Sequence, residues 1–293
     1  MRTVRTVAEL REALHSEREA GRAIGLVPTM GYFHEGHLSL MRRARAASDV
    51  LVVSLFVNPA QFGPGEDLDA YPRDEERDAR LAEAEGVDLL FAPPLEEVYP
   101  EGFDTNVSVG ALTSVLCGDP SRRGPEHFAG VTTVVTKLFN MVQPDTAYFG
   151  QKDAQQALVI RKLVRDLDIP VRVEVCPTVR EPDGLALSSR NAYLSDAERQ
   201  RALSLSRALR AAESSVAEGE LDAAKVLAAA RRELDEAGID PEYLELRSAR
   251  DLSPVERLNG STLLAVAARV GKARLIDNTI LAAEGGEALG GAP

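Results

Sequence analysis

PTMGYFHEGHLSL, residues 28–40, follows an apolar run at Ala23–Val27 and leads into a helix-compatible run at Leu38–Ala47, so it occupies a strand-to-helix turn. In α/β proteins that turn is a place for phosphates. A helix N-terminus presents unpaired backbone N–H groups and a partial positive charge, and Gly31 and Gly36 allow the backbone to approach a ligand closely. His34 and His37 stand three apart, a spacing that puts both rings on one face of the first helical turn. There, imidazoles can donate hydrogen bonds to phosphoryl oxygens and offset charge developing on a leaving group. By itself a His-x-x-His pair is equally compatible with a solvated surface or with two ligands of an incomplete metal site.

Composition narrows the function classes. The 293 residues suffice for one large or two medium domains, and 44% hydrophobic with 27% charged residues is ordinary for a globular protein. No apolar run approaches the roughly 20 residues that span a bilayer, and MRTVRTVAEL carries no signal-peptide apolar region, so a cytoplasmic protein without membrane contact is expected. A net charge of −12 argues against nonspecific nucleic-acid binding. Cys117 and Cys176 lie in no ligand pattern and read as small core residues.

Outward from the opening stretch, the chain alternates strand and helix. Thr6 to Glu9 reads as a capping box opening a helix over 7–20. VLVVSLFV at 50–57 is a strand buried on both faces, ended by Asn58-Pro59, with Gln61 just beyond. A charged helix over 74–85 and a strand at 87–91 follow. Residues 99–130 read as irregular, and Val131–Val142 as a helix. Pro144 opens a strand ending at Phe149, and Gly150, Gln151, Lys152 and Asp153 lead into a helix reaching Asp166, with Gln155 and Gln156 in its first turn. A lysine there can set its ammonium against phosphate oxygens, while Asp153 can cap the helix or bind a hydroxyl. After an alternating strand at 171–175, Leu187, Ser188, Ser189, Arg190 and Asn191 form a loop suited either to close over a triphosphate or merely to cap the following helix. Beyond it come two helices over 196–237, split near Gly219, and three strands at 243–246, 262–270 and 273–281. The expected architecture is α/β: a doubly wound, Rossmann-like parallel sheet over 1–178, a smaller α+β domain over 179–283 covering the active site, and a disordered tail at 284–293.

An HxGH string after an apolar strand resembles the nucleotidylyl-transferase superfamily. The strings PTMGYFHEGHLSL, FVNPAQFG, EDLDAYPR, FGQKDAQQ and REPDGLALSSRNAYLS, in this order, resemble its pantothenate synthetase family over residues 28–198. The resemblance implies that ATP and pantoate give pantoyl-adenylate and pyrophosphate, with Mg²⁺, and that β-alanine then yields pantothenate and AMP. By motif position, ATP is expected on Met30, Gly31, His34, His37, Gly150, Gln151, Lys152, Asp153, Val179, Leu187, Ser188, Ser189 and Arg190. Of these, His34, His37, Lys152, Ser188, Ser189 and Arg190 are the catalytic candidates, with His37 the acid toward the leaving group. Pantoate falls to Met30, Asn58, Gln61 and Gln156, and β-alanine to Gln61. No metal ligand is readable, and the family implies a homodimer. The chain departs from the family's Arg-Pro-Gly-His-Phe at Ser121–Phe128, which leaves open whether Arg123, Arg122 or neither contacts substrate; Ala60 is a milder variation. Two other readings predict different behaviour. A related transferase would adenylylate a phosphate acceptor, which neutral Gln61 and Gln156 suit poorly, and a noncatalytic module would bind ATP without releasing pyrophosphate.

Overall fold

A computed structural model describes residues 1–63, 66 and 68–282. The expected tail, and Asp67 of the EDLDAYPR string, lie outside the described residues. The chain divides into two compact units, Met1–Gly150 with Gln155–Cys176, and Gln151–Ala154 with Pro177–Pro293.

The first unit contains β1 (Arg2–Val4), α1 (Val7–Glu19), β2 (Ile24–Thr29), α2 (Glu35–Ala47), β3 (Val50–Leu55), α3 (Glu75–Ala84), β4 (Leu89–Phe91), α4 (Leu95–Val98), α5 (Pro125–Val142), β5 (Thr146–Gly150), α6 (Ala154–Asp166) and β6 (Arg172–Cys176). Its six strands form one sheet in the order β1-β4-β3-β2-β5-β6, and every neighbouring pair is parallel. The apolar strands sit between two helical layers. Ile24, Leu26, Val50, Val52, Leu89, Phe91, Ala147 and Phe149 pack with Leu10 and Leu14 of α1 and Val131, Val135 and Leu138 of α5. Their alternates Val27, Leu51, Val53, Leu90 and Tyr148 pack with Leu40, Met41 and Ala44 of α2 and Ala82 of α3. A period of two thus feeds two cores, which is why these strands read as continuous apolar runs. Because β3 lies on one side of β2 and β5 on the other, the carboxyl end of β2 is the topological switch point.

The second unit holds α7 (Asp196–Ala217), α8 (Ala223–Glu236) and an antiparallel sheet of β7 (Pro241–Ser248), β8 (Ser261–Val270) and β9 (Ala273–Ala282), in the order β7-β8-β9. Leu205 and Leu209 of α7 and Val226 and Leu234 of α8 pack against Leu264, Val266 and Leu275. Ser195 caps α7 with a reciprocal bond from Glu198, the same device that Thr6 and Glu9 supply to α1.

Several local expectations shift. The helix expected from Val131 begins at Pro125, because proline at the first helical position, after Gly124 in a left-handed conformation, opens the helix early. His127 and Phe128 are therefore helical rather than in a loop. Gln151–Asp153 forms a 3₁₀ turn ahead of α6, and Ser189–Tyr193 forms another. The short elements β1 and α4 went unread, since three or four residues carry no readable period. Among the described residues, no helix is long and apolar enough to cross a membrane.

Candidate functional site

Within the first unit, the turn after β2 is built by side chains that capture consecutive backbone N–H groups. Thr29 donates its hydroxyl to Ser54 O (2.7 Å) and accepts from Gly31 N (3.2 Å). Gly31 has φ +85° and Tyr32 φ +51°, so two successive residues are left-handed. The N–H groups of Tyr32 and Phe33 donate to the buried Asp78 carboxylate (2.6 and 2.7 Å). Burial pushes the Asp78 carboxyl up from its ordinary value, against the pull of these two amides and Arg77.

His34 is the N-cap of α2, and its Nδ1 accepts from Gly36 N (3.1 Å). His37, at the third helical position, accepts through Nδ1 from His34 N (3.3 Å). The pairing is tighter than two rings on a helical face: the rings stack with centroids 4.2 Å apart. An imidazole whose Nδ1 accepts carries its neutral-form proton on Nε2, so both rings are set as Nε2–H donors at a helix N-terminus. That suits a phosphate chain on which negative charge is building.

A second cluster in this unit brings Met30, Asn58 and Gln61 together. The 3₁₀ turn Pro59–Gln61 is capped by Asn58, whose Oδ1 accepts from Ala60 N (3.3 Å) and from the Tyr99 hydroxyl (2.8 Å). Asn58 Nδ2 donates to Gln61 Oε1 (3.2 Å) and to Gly130 O (3.1 Å). Its two donors and its carbonyl are thus engaged inside the protein, so Asn58 shapes the cluster. Gln61 Nε2 lies 3.1 Å from the Met30 sulfur. Burial pushes the Tyr99 phenol up to about 12, which keeps it a donor toward Asn58. Gly130 lets α5 approach: a Cβ there would stand 2.1 Å from Ala60 O. In the altered loop, Arg123 clasps Glu66 through Nε (2.7 Å) and Nη2 (2.6 Å), while Arg122 donates to Leu116 O (2.9 Å). His127 Nδ1 lies 2.7 Å from Gln61 O. Gln155 is buried and occupied by Leu112 O, Val115 O and Cys117 N, whereas Gln156 is half-buried.

In the second unit, Lys152 Nζ lies 3.8 Å from Asp153 Oδ2, and the backbone beneath them is clamped by buried Asn278, which donates to Gln151 O and Lys152 O (both 2.9 Å). Val179 and Leu187 face each other across a tight hairpin, Leu187 N donating to Val179 O (3.0 Å). The hairpin is fastened by Arg180, paired through both terminal nitrogens with buried Asp277 (2.6 and 2.9 Å). Burial alone would lower the Arg180 guanidinium; its bonds to Asp277 outweigh that and raise it. Ser188 caps the turn that carries Ser189 and Arg190, its Oγ accepting from Arg190 N (3.2 Å).

Among the described residues, no group of three or more His, Cys, Asp or Glu side chains is arranged to hold a metal ion. The supporting residues Asp78, Tyr99, Gly130 and Asn278 were not singled out from sequence. For Asn278 a signal existed: Asp277-Asn278 interrupts the apolar residues Leu275, Ile276, Ile280 and Leu281 of its strand. Asp78 had none, lost in a run of charges on α3.

Comparison with known proteins bears on the chemistry. A family model described as pantoate-beta-alanine ligase matches residues 2–280. A pantothenate synthetase of Thermotoga neapolitana is 55% identical over 284 residues, spanning 96% of this chain and 100% of that protein. The crystal structure of pantothenate synthetase from Thermus thermophilus has a TM-score of 0.90 at 52% identity, covering 95% of this chain and 99% of that one. A pantoate-beta-alanine ligase from Francisella tularensis, complexed with beta-gamma ATP and beta-alanine, has a TM-score of 0.77 at 33% identity, covering 96% of this chain and 97% of that one.

Proposed function

The chain belongs to the pantoate-beta-alanine ligase family, and from that premise we propose how its own residues carry out the ATP-dependent condensation of pantoate with β-alanine. In the first step a pantoate carboxylate oxygen attacks the α-phosphorus of ATP, the bond to the bridging oxygen breaks, and pyrophosphate leaves. In the second the β-alanine amine attacks the acyl carbon of pantoyl-adenylate, the acyl–oxygen bond breaks with AMP leaving, and the amine gives up a proton. Neither step needs a protein nucleophile. The work is orientation and charge stabilisation.

The observation that carries the assignment of roles is the acceptor state of both Nδ1 atoms in the stacked His34–His37 pair. It supports a reading in which the two Nε2–H groups donate to the leaving pyrophosphate, His37 being the principal donor. Met30 and Gly31 border the nucleotide, and Met30 also the pantoate. Gln61, held by Asn58, binds pantoate and then orients β-alanine; Gln156 is the second pantoate amide. Lys152 takes a phosphate and Asp153 the ribose, with Gly150 and Gln151 completing that turn. Val179 and Leu187 bracket the adenine, and Ser188, Ser189 and Arg190 bind the triphosphate. Magnesium enters as the counter-ion of ATP, a part of the substrate that lowers phosphate charge. The enzyme works in the cytoplasm as a homodimer, for which light scattering of the purified protein is the check.

The deciding experiment is pyrophosphate release from ATP and pantoate, with and without β-alanine. Pantoate-dependent release that turns over on adding β-alanine, with AMP and pantothenate as products, is expected. Binding of ATP by folded protein without release under either condition would overturn the proposal.

A further inference from the structure

Tyr32, Phe33 and His34 present three consecutive N–H groups, and each is taken by a side chain: Asp78 Oδ2, Asp78 Oδ1 and His37 Nδ1. The first two acceptors come from one carboxylate on α3, a separate element. Asp78 is 1% exposed, on a helix whose other buried member is Ala82, so core packing alone would favour an apolar side chain there. Arg77, next to it, donates to Phe33 O (2.9 Å), and its guanidinium lies 5.3 Å from the centre of the Tyr32 ring. The Tyr32 N–H, the Phe33 N–H and the Phe33 carbonyl are therefore all held from α3. Tyr32 is left-handed, a conformation that a tyrosine keeps only where its surroundings over-determine it. Gly31 leaves just enough space, since a Cβ on it would lie 3.0 Å from Asp78 Oδ2.

We propose that Asp78, assisted by Arg77, is a positioning residue for adenylation: by fixing residues 31–33 it sets the direction from which His34 and His37 present Nε2–H to the leaving pyrophosphate. This rests on the adenylation reading above. It requires Asp78 to act through the histidines, and only in the step in which pyrophosphate departs. A residue that merely stabilised the fold would affect both half-reactions alike.

The test compares Asp78→Asn, which keeps the size but can accept with only one oxygen, against wild type in the two half-reactions. Single-turnover pyrophosphate release at saturating ATP and pantoate is expected to slow by more than about tenfold, while aminolysis of supplied pantoyl-adenylate by β-alanine stays within about twofold. In a His37→Ala background the same substitution is expected to cost less than about threefold, because the group it positions is gone. Arg77→Ala, at a half-exposed site, should show a smaller loss confined to pyrophosphate release, and it carries the test where Asp78→Asn does not fold. Equal slowing of both half-reactions, or an undiminished effect in the His37→Ala background, would overturn the proposal. So would wild-type pyrophosphate release by folded Asp78→Asn. Wild-type protein that releases no pyrophosphate would instead overturn the adenylation reading, and the proposal with it.

Discussion

Replacing Gly130 by alanine tests whether the position of Gln61 is set by the packing of α5. An added Cβ would stand 2.1 Å from Ala60 O, 2.4 Å from Ala60 C and 2.7 Å from Gln61 N. A Cβ essentially never comes closer than 3.0 Å, so helix and turn must part by about 0.9 Å, the difference between 3.0 and 2.1 Å. All three opposing atoms are backbone, so no side chain can rotate aside. The displacement carries the Gln61 amide and stretches the 3.1 Å bond from Asn58 to Gly130 O. Overpacking of this kind costs about 1–3 kcal/mol, offset by about 1 kcal/mol from replacing glycine inside a helix, so the net loss of stability is about 0–2 kcal/mol. Activity should suffer more, because a misplacement near 1 Å can cost roughly 100-fold. The assay is the initial rate of pyrophosphate release against pantoate and against ATP, alongside a thermal melt. The expected result is a large loss in kcat/KM for pantoate, approaching that of Gln61→Ala, with ATP affinity little changed. Gly260→Ala, where an added Cβ meets nothing within 4 Å and φ is not left-handed, is the control. A Gly130→Ala enzyme with wild-type kcat/KM for pantoate would refute the reasoning.

Three further outcomes follow from the structure. His37→Ala should slow adenylation by more than about tenfold, measured as pyrophosphate release, and near-normal release would remove His37 from the leaving-group role. Asp277→Ala removes both bonds to half-buried Arg180 and should destabilise the protein by about 1.5–3 kcal/mol in chemical denaturation; a loss below about 0.5 kcal/mol would show the pair to be dispensable. Glu66 is held below the ordinary glutamate value, its bonds from Arg123 outweighing a burial penalty that acts the other way. Its folded form resists protonation more than its unfolded form, so its stabilising contribution is full above pH 4.5 and disappears as pH falls through the lower folded value. Glu66→Gln should therefore cost about 1 kcal/mol at neutral pH and progressively less below pH 4.5, and a pH-independent cost would contradict the assignment.

Much of the first unit was legible because its physics is local. A strand covered on both faces must be apolar at every position, so 50–57 announced a central parallel strand, and Thr6 to Glu9 announced a helix start because capping chemistry spans only four residues. β1, at three residues, is too short to carry a period, and at α4 and the early start of α5 at Pro125 the neighbouring glycines and prolines were equally consistent with loop.

By itself the sequence determined that residues 28–40 join a strand to a helix, that two histidines open that helix, and which residue strings accompany them in order. Those are statements about neighbours along the chain, where spacing alone dictates geometry. Only the tertiary structure decided what holds the chemistry in place: that His34 and His37 stack with both Nδ1 atoms accepting, that Asn58 is spent on Gln61 and Gly130, that Asn278 clamps the turn bearing Lys152, and that Asp78 grips residues 32 and 33. The partners of Asp78 lie 45 and 46 positions away and those of Asn278 126 and 127. No periodicity reaches that far. A buried polar side chain is tolerated only when folding brings its partner to it, so its identity in the sequence says that a partner is needed and not which one.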